Sequence, residues 1–162
     1  MQTNFDRFRY WICKMNDYTY NNIETSKKPS PKKKLPESIK ARRRQIKVEA
    51  MKMLRSKQFF NPNFSKKILI TGSGIDEWLN QPHKQYAEKN EALLSLERLL
   101  GTSNYLGYVE DPRNRKDILK CHLFEVTICG ESSWIIIHEM TWGECLVHSI
   151  SDTNLMNKLK SP

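Results

Sequence analysis

Glycine is scarce in this 162-residue chain, with six in all, and Gly72 and Gly74 form a G-x-G without a third glycine. That is too little for a dinucleotide fingerprint or a phosphate-cradling loop. The four cysteines, Cys13, Cys121, Cys129 and Cys145, include no C-x-x-C pair. In a chain of this length they are too few for a disulfide framework, and free thiols in a reducing cytosol are expected. Neither D-x-D nor H-x-x-x-H occurs and the acidic residues are scattered, so no metal and no cofactor is expected. No apolar run approaches membrane-spanning length, and the opening MQTNFDRFRYWICK lacks the apolar centre of a signal peptide. A membrane partner is therefore not expected, and internal repeats are absent.

Basic residues, in contrast, are plentiful and concentrated. Residues 1–60 hold 16 Lys/Arg against 5 Asp/Glu, whereas the remainder is slightly acidic. The pI of about 9.4 is thus the property of one arm. Such an arm suits an anionic partner, nucleic acid before membrane, or else is a solvated charge run that keeps a linker soluble.

Three segments are expected. Residues 1–35 form an aromatic, basic arm: Phe5, Phe8, Trp11 and Ile12 fit one helical face, and SKKPSPKKKL is a linker in which prolines and self-repelling lysines exclude regular structure. Residues 36–153 form the main domain. Its first helix buries Ile46, Ala50, Met53 and Leu54, with Arg42, Arg43 and Arg44 on other sides. Residues 59–64 (FFNPNF) read as a turn leading into a strand at Ile68–Ile70. Ser73 is placed to cap a short helix, with Asp76 three residues on. Pro82 is placed to start a long helix that stops at Gly101. Tyr105–Glu110 reads as a strand. Three more strands follow, Cys121–Cys129, Ser133–Met140 and Glu144–Ser151, joined by tight turns into a meander. Residues 154–162 are a polar tail. The fold class is α+β, with N-terminal helices packed on one face of an antiparallel sheet.

Histidine and lysine carry the chemistry. If Pro82 opens a helix, His83 and Lys84 occupy its first turn, where free N–H groups and the positive dipole end favour a phosphate and a neutral imidazole. His138, beside Glu139 and just before a turn, is the second candidate. Period-two counting places Trp134, Ile136 and His138 on one face of their strand, and Cys145, Val147, Ser149 and Ser151 on one face of the last. Metal-free cleavage of RNA needs a base, an acid and a cation, and these residue types supply all three. Strand histidines are also commonly structural, which leaves a non-catalytic binding module as the other reading.

The run from Ile70 to Lys84 (ITGSGIDEWLNQPHK), followed by Tyr86 and Glu88–Glu91, resembles the phage and mobile-element domains that end large polyvalent or head-morphogenesis proteins. Tyr105-Leu106-Gly107, His122–Glu125, Ser133–Ile136 and His148–Asp152 fit the same resemblance, which spans residues 38–153. Those domains are placed in the barnase/EndoU/colicin/RelE-like nuclease superfamily. The resemblance implies a helix-then-sheet fold and a metal-independent endoribonuclease, toxin-like, cutting tRNA or mRNA in the cytoplasm of a bacterial or phage-infected cell. It also implies a cognate immunity or antitoxin protein as partner. By motif, His83, Lys84, His138 and Ser149 are the implied catalytic set. Arg42, Arg43 and Arg44 of the basic helix are expected to grip RNA, with Tyr86 and Ser151 as further substrate contacts.

Overall fold

The computed structural model describes residues 34–160. The expected aromatic N-terminal helix, most of the Lys/Pro linker and Cys13 lie outside the described residues. The chain divides after Pro36, and Glu37–Pro162 form one compact unit.

That unit opens with helix α1 (Glu37–Met53), followed by strands β1 (Phe59–Asn61) and β2 (Phe64–Ile70). Three short helices come next, α2 (Gly72–Asn80), α3 (Tyr86–Leu93) and α4 (Leu96–Thr102). Strands β3 (Asn104–Val109), β4 (Ile118–Ile128), β5 (Glu131–Met140) and β6 (Cys145–Ser151) complete the sheet, and a 3-10 turn (Met156–Lys158) follows. The fold is α+β, as the sequence indicates. Strand order is β1-β2-β6-β5-β4-β3. The meander β3–β6 is antiparallel throughout, but β2 joins β6 in parallel, with Ile68 opposite Cys145 and Ile70 opposite Val147. The sheet is therefore mixed rather than purely antiparallel. Among the described residues no helix is long and apolar enough to cross a membrane.

The helices cover one face. Ile46, Ala50 and Leu54 of the first segment are buried, as are Ile75, Trp78 and Leu79 of α2 and Leu93, Leu96 and Leu100. They pack on Ile68, Ile70, Phe124, Val126, Ile135, Ile137, Val147 and Ile150. Met53, expected inside, is 45% exposed, because the helix presents only its i, i+4, i+8 line to the sheet. The opposite face carries a smaller core of Cys121, Leu123 and Met140, against which Leu155 and Leu159 pack. The expected polar tail thus contributes two apolar residues, and Lys160 pairs its backbone with Tyr108.

Several local expectations change. Residues 59–64 form a hairpin, not a simple turn: the Asn61 side chain accepts from the backbone N–H of Asn63 at 2.9 Å, closing an Asx turn around Pro62. The same amide donates to the carbonyls of Leu100 and Ser103, stitching the hairpin to the end of α4. Thr71, not Ser73, caps α2, accepting from the N–H of Gly74 at 3.1 Å. Gly74 lets α2 approach β6, since a Cβ there would lie 2.3 Å from the carbonyl oxygen of Val147. Cys129 and Gly130, both at positive φ, form the two-residue turn between β4 and β5 that sheet twist favours. Cys121 and Cys145 are free thiols, whereas Cys129 is not free, so the expectation of unpaired thiols fails there.

Candidate active site

Pro82 does not open a helix. Residues 81–85 are a loop, α3 begins at Tyr86, and the expected single helix bends at Leu94–Ser95 into α3 and α4. Competing bonds explain the loop. The N–H of Gln85 donates to Nδ1 of His83 at 2.9 Å, and the N–H of Lys84 donates to Asp152 at 2.8 Å. Donors that would have formed an anion-binding helix end are already occupied, one by a carboxylate. With Nδ1 accepting, neutral His83 carries its proton on Nε2, which meets Ser133 Oγ at 2.8 Å. Burial holds the imidazole pKa below its usual value, opposed by Asp152. A neutral His83 therefore follows, through burial rather than a helix dipole. The Lys84 ammonium lies 3.6 Å from Glu131.

The other predicted residues are not gathered around this ring. His138 lies five residues beyond Ser133 on β5, hence on the opposite face and about 17 Å along the strand. It stacks on His148 with ring centroids 4.0 Å apart, and burial foremost, then His148, lowers its pKa to about 4. A register shift between Ile136 and Ile137 sets Ser149 opposite Ile136 and Ile150 opposite Ile135. The bulge flips the end of β6, so Ser149 leaves the face of Val147, contrary to simple alternation. Ser151 lies opposite Trp134, and its Oγ accepts from the N–H of Thr153. Tyr86 donates its hydroxyl to the Leu79 carbonyl. Arg42 grips Glu91 through Nε and Nη2 at 2.5 and 2.8 Å, tying α1 to α3, and Arg43 donates to Asn80. Arg44 is exposed.

A second polar centre was not anticipated. At the far end of the helix-side face, Glu139 accepts from Nε2 of His122 at 2.6 Å and, through its other oxygen, from the ammonium of Lys66. Nδ1 of His122 meets the hydroxyl of Tyr105 at 2.8 Å. Because a carboxylate only accepts, the neutral imidazole carries its proton on Nε2, and Tyr105 donates to Nδ1. Burial lowers the His122 pKa, with Glu139 opposing, and burial raises that of Tyr105. Burial works to raise Glu139, but Lys66 and His122 outweigh it, leaving the carboxyl below its usual value. The resting assignment is a neutral phenol, a neutral imidazole, a carboxylate and an ammonium in one chain of hydrogen bonds.

The fold assembles this chain from four strands. Lys66 comes from β2, Tyr105 from β3, His122 from β4 and Glu139 from β5. Phe64 walls it, edge-on to Tyr105 and His122 at 5.0 and 4.8 Å. His122 is only 4% exposed, while the Lys66 side chain is 45% exposed, so the centre is dry at one end and open at the other. A cavity of about 390 Å³ adjoins Lys66, lined also by Gln58, Lys67, Leu69, Gly143, Glu144 and Cys145. Nothing in the sequence brought these four together, except that His122 and Glu139 are polar residues on otherwise apolar strands.

A family model described as large polyvalent protein-associated domain 3 matches residues 37–150. No curated protein and no solved structure matches the chain.

Proposed function

The chain belongs to the large polyvalent protein-associated domain 3 family, and on that premise we propose that it is a metal-independent endoribonuclease of phage or mobile-element origin. The observation that carries this reading is the unbroken chain Tyr105–His122–Glu139–Lys66 beside an open cleft. Its Tyr105–His122–Glu139 segment offers a proton relay, and Lys66, the one of the four that lines the cleft, offers the cation that RNA cleavage by the 2′-hydroxyl requires. At the His83 centre Nδ1 already accepts from the N–H of Gln85, and the ammonium of Lys84 faces Glu131.

In this scheme the 2′-hydroxyl gives its proton to the Tyr105 oxygen while Tyr105 passes its own to Nδ1 of His122. Glu139 stabilises the imidazolium that forms, as the acid of a catalytic triad does. The 2′-oxygen attacks phosphorus, Lys66 neutralises charge on the nonbridging oxygens, and the 5′-oxygen departs with a proton from water, whose hydroxide takes back the proton held by His122 through Tyr105. Products are a 2′,3′-cyclic phosphate and a 5′-hydroxyl. A toxin-like role against tRNA or mRNA in the cytoplasm, with an immunity protein covering the open end, belongs to the same proposal.

A binding module is the competing reading, favoured by the complete hydrogen bonding of the buried His122. Incubating the purified chain with total RNA in EDTA separates them. Cyclic-phosphate ends that disappear in Glu139→Gln support the nuclease, and salt-sensitive binding without cleavage supports the module.

A further inference from the structure

The parallel ladder between β2 and β6 begins at Ile68 and Cys145. Before that pair the chains part, leaving Lys66 and Lys67 on one side and Gly143 and Glu144 on the other. We propose that this cleft is a subsite for one unpaired nucleotide of an RNA strand, whose base stacks on Trp142. This rests on the ribonuclease reading above and names the form of substrate: single-stranded RNA.

Four observations favour that occupant. The cavity of about 390 Å³ is at the small end of ligand sites, adequate for one nucleotide and not for a base-paired duplex. Lys66 lines the cleft and also reaches Glu139, so the cleft and the hydrogen-bonded chain share a residue. Lys67, exposed and without an ion pair among the described residues, supplies a second cation. Trp142, next in sequence to Gly143, is 59% exposed, yet its indole is held: Nε1 donates to Glu144 at 2.7 Å. Glu144 itself lines the cleft, so the bond ties the indole to a cleft residue. A large, oriented, solvent-facing aromatic next in sequence to a cleft that lysines line is the pattern that single-strand binders use. Since every base has a π-face, the subsite discriminates little among bases.

The test uses the full chain and a labelled short uridine oligomer carrying 2′-O-methyl groups, which keeps the phosphates but cannot be cleaved by 2′-attack. Anisotropy titration should show Trp142→Ala binding on the order of tenfold more weakly than wild type, with Trp142→Phe nearly unaffected. A duplex of the same length should compete poorly. Wild-type affinity in Trp142→Ala, or equal competition by the duplex, overturns the subsite. If Trp142→Ala fails to fold, Trp142→Leu against Trp142→Phe makes the same comparison. Because the oligomer is uncleavable, a chain that binds through Trp142 but does not cut RNA overturns only the nuclease. A chain that cuts RNA with Trp142 dispensable for binding overturns only the subsite.

Discussion

Glu139 and His122 sit diagonally across the β4–β5 ladder, Glu139 opposite Lys120 and His122 opposite Ile137, on the face the helices cover. Their 2.6 Å contact is buried on both sides, at 7% and 4% exposure. In such surroundings the bond fixes which imidazole nitrogen holds the proton, and so which one is free to take another.

This has a consequence for the pH dependence of cleavage. The imidazole must be neutral to accept a proton, and burial lowers its pKa from the ordinary value of 6.5. The acid limb of kcat/KM should therefore fall below pH 6.5, with activity maintained at neutral pH. A rate profile with its acid midpoint above 6.5 would remove His122 as the base.

Stability should also fall with acid. His138 has a folded pKa near 4 against 6.5 unfolded, so between those values the unfolded chain binds more protons and stability rises with pH. Urea unfolding should show stability dropping by roughly 1 kcal/mol per pH unit for that proton as pH falls below 6.5. The drop should be shallower in His138→Gln. An unchanged slope in the variant would show that His138 does not titrate in this way.

Gly74→Ala should be severe. The new Cβ would meet a backbone oxygen of β6 at 2.3 Å, and neither the helix nor the strand has a flexible side chain there to yield. A loss of about 1–3 kcal/mol or more is expected from such overpacking. Gly101→Ala, whose Cβ would meet nothing within 4 Å, is the matched control and should stabilise or leave the helix unchanged. Equal melting points for the two variants would contradict the close approach of α2 to β6.

Much of the fold was legible because its elements are strongly patterned. Ile46 and Ala50 recur at helical spacing, and the β4 and β5 segments alternate around β-branched residues. What escaped was settled by side chains bonding to backbone. His83 and Asp152 capture the donors that would have begun a helix at Pro82, and Asn61 turns an apparent loop into a hairpin. Simple alternation also failed at the β6 bulge, which moved Ser149 off its expected face. The Tyr105–His122–Glu139–Lys66 centre depends on four strands meeting, and strand order is not written in local periodicity. Trp142 lies in the tight turn between Ser133–Met140 and Glu144–Ser151, where nothing in the local pattern marks it out.

Single-turnover cleavage of a short oligoribonucleotide in EDTA, comparing Glu139→Gln with His83→Ala at matched folded fraction, tests the central claim most directly. A loss of about 10²–10⁴-fold is expected in Glu139→Gln and a loss of less than about tenfold in His83→Ala. Full activity in Glu139→Gln with loss in His83→Ala would place the chemistry at the other end of β5 and contradict it.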